Sequence, residues 1–89
     1  MATYSVEFVR SARKEFERLP SKARNKVVDA LQLLAVNPYS ELLNIKKLKG
    51  AEDVFRIRVG DYRVLYEIRN EKLIVVVIKV AHRSEVYRK

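Results

Sequence analysis

The chain has 89 residues, of which 48% are hydrophobic and 34% are charged, and its net charge is +8. This length predicts one domain, residues 1–89, and the hydrophobic fraction argues against disorder. The absence of cysteine excludes a disulfide framework and a thiolate metal site, and a single histidine argues against a metal or other cofactor. The most apolar run, residues 73–81, has about half the ~20 residues of a membrane helix, so a cytoplasmic protein without a membrane partner is expected.

The first half of the chain predicts one strand and two helices. Alternation over Thr3–Phe8 indicates a short strand. Apolar residues then recur at helical spacing in two stripes: Val9, Ala12, Phe16 and Leu19, followed by Ala23, Val27, Ala30 or Leu31, and Leu34. Pro20 ends the first helix and Asn37-Pro38 the second, for which Ser21 is the expected N-cap. The short link at Pro20 predicts an antiparallel helical hairpin.

The second half predicts three strands after a lysine-rich connection at residues 39–50. The strand-like runs are Val54–Val59, Tyr62–Arg69 and Leu73–Val80. Gly60-Asp61 is a two-residue hairpin signal with glycine first, and Asn70-Glu71 marks the second turn. The third run is apolar on both faces, which favours a central strand. The order predicts an α+β fold: an N-terminal strand, the helical hairpin, a three-stranded antiparallel meander and a short C-terminal tail.

The positive charge is concentrated in the second half. Residues 1–45 contain seven basic and five acidic residues, a net charge of +2, whereas residues 46–89 contain twelve and six, a net charge of +6. A basic surface on a small domain indicates a polyanion such as nucleic acid, or an acidic protein partner. Lys46, Lys47 and Lys49 are candidates for contacting an RNA backbone, although a solvated loop has the same composition.

The predicted hairpin gathers three arginines onto one side of the sheet. Its turn pairs the two strands so that the opposite side is apolar, formed by Phe55, Ile57, Val59, Tyr62, Val64 and Tyr66. Arg58 then lies opposite Arg63, and Arg56 is diagonal to Arg63. Directly opposed like charges destabilise a sheet by about 0.2–1 kcal/mol per pair, and a bound anion relieves that repulsion. The arginines therefore predict a phosphate site; the alternative is the solvated outer face of a two-layer sheet.

The C-terminal tail adds three candidates. His82 and Arg83 follow the third strand, and Tyr87 lies four residues after Arg83, the spacing of one helical face. Tyrosine stacks on unpaired bases and arginine binds phosphate, which suits single-stranded RNA. Histidine is the side chain here whose ordinary pKa permits proton transfer near neutrality. A lone histidine at a strand end is also commonly just surface-exposed, and a C-terminal tyrosine often packs on the core.

The segments KKLKG, VFRIRVGDYRVLYEI and VVIKVAHRSEVYRK resemble the RelE branch of the RelE/ParE toxin superfamily, and the resemblance spans almost the whole chain. It implies a toxin of a type II toxin–antitoxin system that cleaves mRNA in the ribosomal A site. The ribose 2′-OH attacks the adjacent phosphate, which leaves a 2′,3′-cyclic phosphate and a 5′-OH. The implied partners are the ribosome with bound mRNA and a cognate RelB-like antitoxin that covers the basic site.

The resemblance also implies a role for each candidate catalytic residue. Arg56, Arg58 and Arg63 stabilise the phosphorane, Arg83 stabilises or protonates the leaving oxygen, and Tyr87 orients the scissile nucleotide. His82 stands where related toxins often carry a basic residue. Some relatives have lysines at the positions of Arg56 and Arg58, one of them a proposed base, but arginine stays protonated in proteins. The proton acceptor is therefore left open among His82, Tyr87, a ribosomal group, or catalysis by positioning and electrostatics alone.

Three other functions fit parts of the pattern. A ParE-like toxin has the same fold but inhibits DNA gyrase, and it does not need the set of Arg63, Arg83 and Tyr87. A non-catalytic RNA-binding module gives salt-sensitive binding without a cleavage product. A degenerate toxin retains only antitoxin binding. The joint presence of the three residues favours the RelE-type nuclease.

Overall fold

A computed structural model describes residues 3–40, 43–48 and 53–82. Within these ranges the chain forms two helices and five strands, in the order β1 (Ser5–Phe8), α1 (Arg10–Glu17), α2 (Ser21–Val36), β2 (Ile45–Lys47), β3 (Val54–Val59), β4 (Tyr62–Arg69) and β5 (Ile74–His82). The strands form one sheet in the order β1-β5-β4-β3-β2. β1 runs parallel to β5, and the remaining pairs are antiparallel.

This architecture confirms the predicted α+β fold and the meander β3-β4-β5, and β5 lies inside the sheet between β1 and β4. The connection at residues 39–50 was predicted wrongly as a plain loop, because it contains β2. This strand pairs Ile45 with Ile57 and Lys46 with Arg56. A three-residue edge strand with two lysines is too short to display an alternating pattern, so the sequence does not reveal it.

The helices cover one face of the sheet, here called the helix face. Both predicted stripes pack toward the sheet, although the first helix ends at Glu17 rather than at Pro20, so Leu19 lies beyond it. Ala12 of α1 is buried, as are four α2 residues, Val27, Ala30, Leu31 and Leu34. They pack against buried β-strand residues, among them Ile57, Val64, Tyr66 and Val77. The predicted cap of α2 was wrong by one position, because Pro20 is the N-cap and Ser21 begins the helix. Proline supplies the extended backbone at this position without a capping side chain.

The β3–β4 hairpin has the predicted register. Arg58 pairs with Arg63, Ile57 with Val64 and Phe55 with Tyr66. Gly60 has a φ of +61°, which the first residue of a glycine-first turn requires and which side-chain-bearing residues rarely adopt. The turn therefore fixes which side chains of β3 and β4 lie on the helix face and which lie on the opposite face, here called the cleft face.

A β-bulge in β5 changes which of its side chains face the helices. Leu65 pairs with Lys79 and Tyr66 with Val77, so Ile78 is left between the two pairs without a partner on β4. Val75 and Val77 lie on the helix face before the bulge, and Val80 does so after it. Without the extra residue, the two-residue period would carry Lys79 into the core. No helix within the described ranges is long and apolar enough to span a membrane.

Candidate nucleic-acid interface

The cleft face carries a depression of about 250 Å³ lined by Asn44, Lys46, Arg56, Arg58 and Arg63. Adjacent strands supply the four cations: Lys46 from β2, Arg56 and Arg58 from β3, and Arg63 from β4. None of the lining residues is acidic, and Arg56 and Arg58 have no carboxylate within ion-pair distance among the described residues. Such a concentration of positive charge is suited to an anion that bridges the guanidinium groups.

Arg63 forms the floor of this cleft. Its side chain lies on the cleft face, yet the residue is only 2% exposed, whereas its cross-strand neighbour Arg58 is exposed. Ala81 of β5 lies directly opposite Arg63, and its short side chain leaves space for the guanidinium group. A buried cation with this surrounding electropositive rim is strongly attractive to a phosphate, because the low dielectric strengthens charge interactions.

A row of cross-strand partners links Lys46 and Arg56 of the cleft to Lys79 of β5, whose ammonium group pairs with Glu15. Lys46 pairs with Arg56, Arg56 with Leu65, and Leu65 with Lys79. These four residues lie side by side on the cleft face, from edge strand β2 to β5. Asn44 and Lys79 were not among the sequence candidates. The sequence did not indicate Asn44 because β2, which follows it, was not predicted. It did not indicate Lys79 because the β-bulge determines which face of the sheet that side chain lies on.

Lys47, the other described lysine candidate, does not line the cleft. Lys47 pairs with Phe55, a helix-face residue, so the alternation of β2 directs Lys47 away from Lys46. Lys49, Arg83 and Tyr87 lie outside the described residues. The structure thus brings together Arg56, Arg58 and Arg63 with Lys46, and the other assignments in this group stay predictions.

His82 lies on the helix face rather than in the arginine cleft. It pairs with Tyr62, and the two rings meet edge to face with centroids 5.3 Å apart. Both rings line a separate depression of about 330 Å³ together with Glu15 and Arg18 of the helical hairpin. The bulge at Ile78 is the cause, since it places Ala81 on the cleft face and His82 on the other. A proton-transfer role for His82 stays a prediction, and this geometry argues against it.

The cleft offers charge stabilisation by fixed cations. Among the described residues no group of three or more His, Cys, Asp or Glu side chains could hold a metal ion. Guanidinium groups donate up to five hydrogen bonds in a planar fork and accept none. The arrangement can therefore bind a phosphate and stabilise added negative charge on it, whereas the proton acceptor must be another group.

Comparisons with known proteins agree with this geometry. Residues 6–87 match the family described as the ParE toxin of type II toxin–antitoxin systems. The chain is 35% identical to Toxin RelG of Mycobacterium tuberculosis, over 97% of this chain and 98% of that protein. It is 34% identical to the mRNA interferase toxin RelE of Escherichia coli, over 94% of this chain and 90% of that protein.

A solved structure shows the same fold. In the archaeal RelE–RelB complex from Pyrococcus horikoshii, one chain superposes with a TM-score of 0.79 at 27% identity, over 91% of this chain and 96% of that one. The chain is thus similar to these toxins along nearly its whole length, in sequence and in fold. The chain belongs to the RelE/ParE superfamily of type II toxins, as a RelE-type toxin.

Proposed function

We propose that the protein is a ribosome-dependent endoribonuclease that cleaves mRNA in the ribosomal A site. The observation that carries the proposal is the cleft in which Arg56, Arg58 and Arg63 converge with Lys46, and in which no described lining residue is acidic. The similarity to an mRNA interferase over nearly the full chain supports the same activity. Its substrate is ribosome-bound mRNA, so the protein works in the cytoplasm as a domain comprising residues 1–89.

The proposed reaction is an internal phosphoryl transfer. The 2′-oxygen of the ribose bonds to phosphorus as the bond to the 5′-oxygen breaks, giving a 2′,3′-cyclic phosphate and a 5′-OH. The attacking hydroxyl loses a proton and the leaving oxygen gains one. Negative charge grows on the non-bridging oxygens in between, and Arg56, Arg58 and Arg63 stabilise it. Fixed cations in a partly buried site need little reorganisation as that charge forms, which is why they accelerate the step.

Proton transfer is assigned outside the arginine cleft. Arginine does not deprotonate in proteins, and His82 lies on the helix face. We assign stabilisation of the leaving oxygen to Arg83 and orientation of the scissile nucleotide to Tyr87, and water supplies the proton that the leaving oxygen gains. The 2′-OH proton passes to Tyr87 or to a ribosomal group. An acceptor supplied by the ribosome also explains why cleavage requires the ribosome.

The cognate partner is a RelB-like antitoxin. Related toxins are found in complexes with RelB, as in the archaeal and E. coli assemblies. The net charge of +8 and the four cations that line the cleft favour an acidic segment that folds over them. Such a segment neutralises the toxin because it occupies the phosphate site and prevents entry of mRNA.

Primer extension on mRNA in a purified translation reaction tests the activity. We expect codon-positioned cuts with the wild type and a rate lower by about 10²–10³-fold with Arg63→Gln, because a buried charge-stabilising donor is lost. Lys72→Gln is the matched control, since it removes one positive charge at the exposed β4–β5 turn. Intact ribosome-bound mRNA combined with inhibition of gyrase supercoiling would instead identify a ParE-like activity.

A further inference from the structure

The end of β5 is anchored in an unusual way. β1 pairs with β5 as far as Val77, and beyond that point no described strand neighbours the outer edge of β5. Glu15 of α1 occupies the vacant position. Its Oε1 accepts a hydrogen bond from the backbone N–H of Val80 at 2.9 Å, and its Oε2 pairs with Nζ of Lys79 at 2.8 Å. One carboxylate therefore holds both the backbone and a side chain of β5.

The Glu15 side chain is less exposed and forms a shorter ion pair than Glu17, the other carboxylate on the same helix. The Glu15 side chain is 30% exposed, whereas Glu17 is 61% exposed and pairs with Arg13 at 3.5 Å within the helix. A charge-assisted bond to a backbone N–H, in a half-buried setting, is about twice as strong as a neutral one. The ion pair of Glu17 lies within its own helix, so Glu17 is a suitable comparison.

The segment held by Glu15 borders the proposed catalytic cleft. Lys79 pairs with Leu65, the neighbour of Arg56, and Ala81 faces Arg63, the floor of the cleft. The chain then continues through His82 to Arg83, which lies outside the described residues. The bulge at Ile78 immediately precedes this segment and interrupts its ladder with β4. A strand weakened by a bulge on one side, without a strand on the other, needs an additional anchor.

We propose that Glu15 is a positioning residue that holds the C-terminal end of β5, and thereby Lys79 and the chain leading to Arg83, in place against Arg63. The inference rests on the proposed function, because the reaction is what Glu15 supports. Glu15 does not contact the substrate. It acts through the Val80 N–H and the Lys79 ammonium group, and small misplacements of reacting groups can reduce a rate by about 10²-fold.

Three substitutions separate the two contacts. Glu15→Ala removes both, Glu15→Gln retains an oxygen acceptor for Val80, and Lys79→Gln removes the ion pair alone. Glu17→Ala is the matched control on the same helix. We expect Glu15→Ala to lower the single-turnover rate constant on ribosome-bound mRNA by about 10- to 100-fold. Glu15→Gln recovers most of that loss, and Glu17→Ala has no effect.

The rate constant distinguishes positioning from stability. Partial unfolding lowers the concentration of active protein, and at saturating enzyme this leaves the single-turnover rate constant unchanged, so a purely structural role for Glu15 does not change that constant. Amide hydrogen exchange supplies a second readout, in which Val80 loses protection in Glu15→Ala but keeps it in Glu15→Gln. A wild-type rate constant in Glu15→Ala, or an equal loss in Glu17→Ala, overturns the inference.

The same measurements keep the two proposals apart. Wild-type protein that leaves ribosome-bound mRNA intact overturns the proposed function, and Glu15 is then an anchor of β5 without a catalytic consequence. Wild-type cleavage with an unaffected Glu15→Ala variant overturns only the positioning role.

Discussion

The opposed pair of Arg58 and Arg63 predicts that a variant can gain stability while it loses activity. The two residues are direct cross-strand partners, Arg63 is 2% exposed, and no carboxylate pairs with Arg58 among the described residues. A directly opposed like-charge pair costs a sheet about 0.2–1 kcal/mol. Arg58→Gln removes that repulsion, so we expect the free energy of unfolding to rise by that amount at low salt.

In a domain of this size, 1 kcal/mol corresponds to a change in melting temperature of about 4–8 °C. Urea and thermal unfolding of the wild type and Arg58→Gln at low and high salt test the prediction. The gain should shrink at 1 M salt, where the screening length falls to about 3 Å and Arg58 is exposed to the ions. Lys72→Gln controls for net charge, because Lys72 is exposed at the β4–β5 turn away from the cleft.

The expected cleavage rate of Arg58→Gln is lower by about 10²-fold, since a stabilising charge on the phosphorane is lost. An Arg58→Gln protein that is equally or less stable than the wild type at low salt refutes the reasoning. A gain of the same size in Lys72→Gln also refutes it, because the effect would then come from net charge rather than from the opposed pair.

Further predictions concern the core, the turn and the cleft. Tyr66→Phe should cost about 0.5–1.5 kcal/mol of stability without affecting cleavage, because the buried hydroxyl donates a 3.3 Å hydrogen bond to the carbonyl of Pro38. Burial raises the pKa of Tyr66, so its contribution to the free energy of unfolding is complete below about pH 10 and is lost as the pH rises further. Above that pH, the free energy of unfolding should therefore fall more steeply with pH in the wild type than in Tyr66→Phe. Gly60→Ala should destabilise the fold by about 1–2 kcal/mol in urea unfolding, although space is open around the added Cβ, and Gly60→Asn by less. Lys46→Gln should reduce the salt dependence of ribosome-bound mRNA cleavage, measured as KM against salt, while His82→Gln should leave the single-turnover rate unchanged.

The part of the site that follows from local rules could be predicted from the sequence. A two-residue turn at Gly60 fixes the register of its hairpin, and the two-residue period of a strand then assigns every side chain to a face. Arg56, Arg58 and Arg63 were gathered correctly for this reason. The helical stripes were equally clear, because a period of three to four residues is a strong signal in a long element.

The remainder depends on tertiary structure. The run of apolar residues before Lys79 contains no sign of a bulge at Ile78, yet that extra residue sends Lys79 to the cleft face and His82 to the helix face. β2 forms because it pairs with the edge of β3, and its three residues are too few to show the alternation that predicts a strand. In the sequence, Glu15 looks like a solvent-exposed residue of α1. Its contacts with β5 are made to a strand that lies 65 residues further along the chain at Val80.

The central claim is that the arginine cleft stabilises an internal attack by a ribose 2′-OH. The most direct test uses programmed ribosomes that carry mRNA with a single 2′-deoxy nucleotide at the cleavage position, followed by analysis of the product ends. We predict that the unmodified mRNA is cut to a 2′,3′-cyclic phosphate and a 5′-OH, and that the 2′-deoxy mRNA stays intact while it competes for binding. Cleavage of the 2′-deoxy mRNA at the same position, or a product with a 5′-phosphate, would contradict the account.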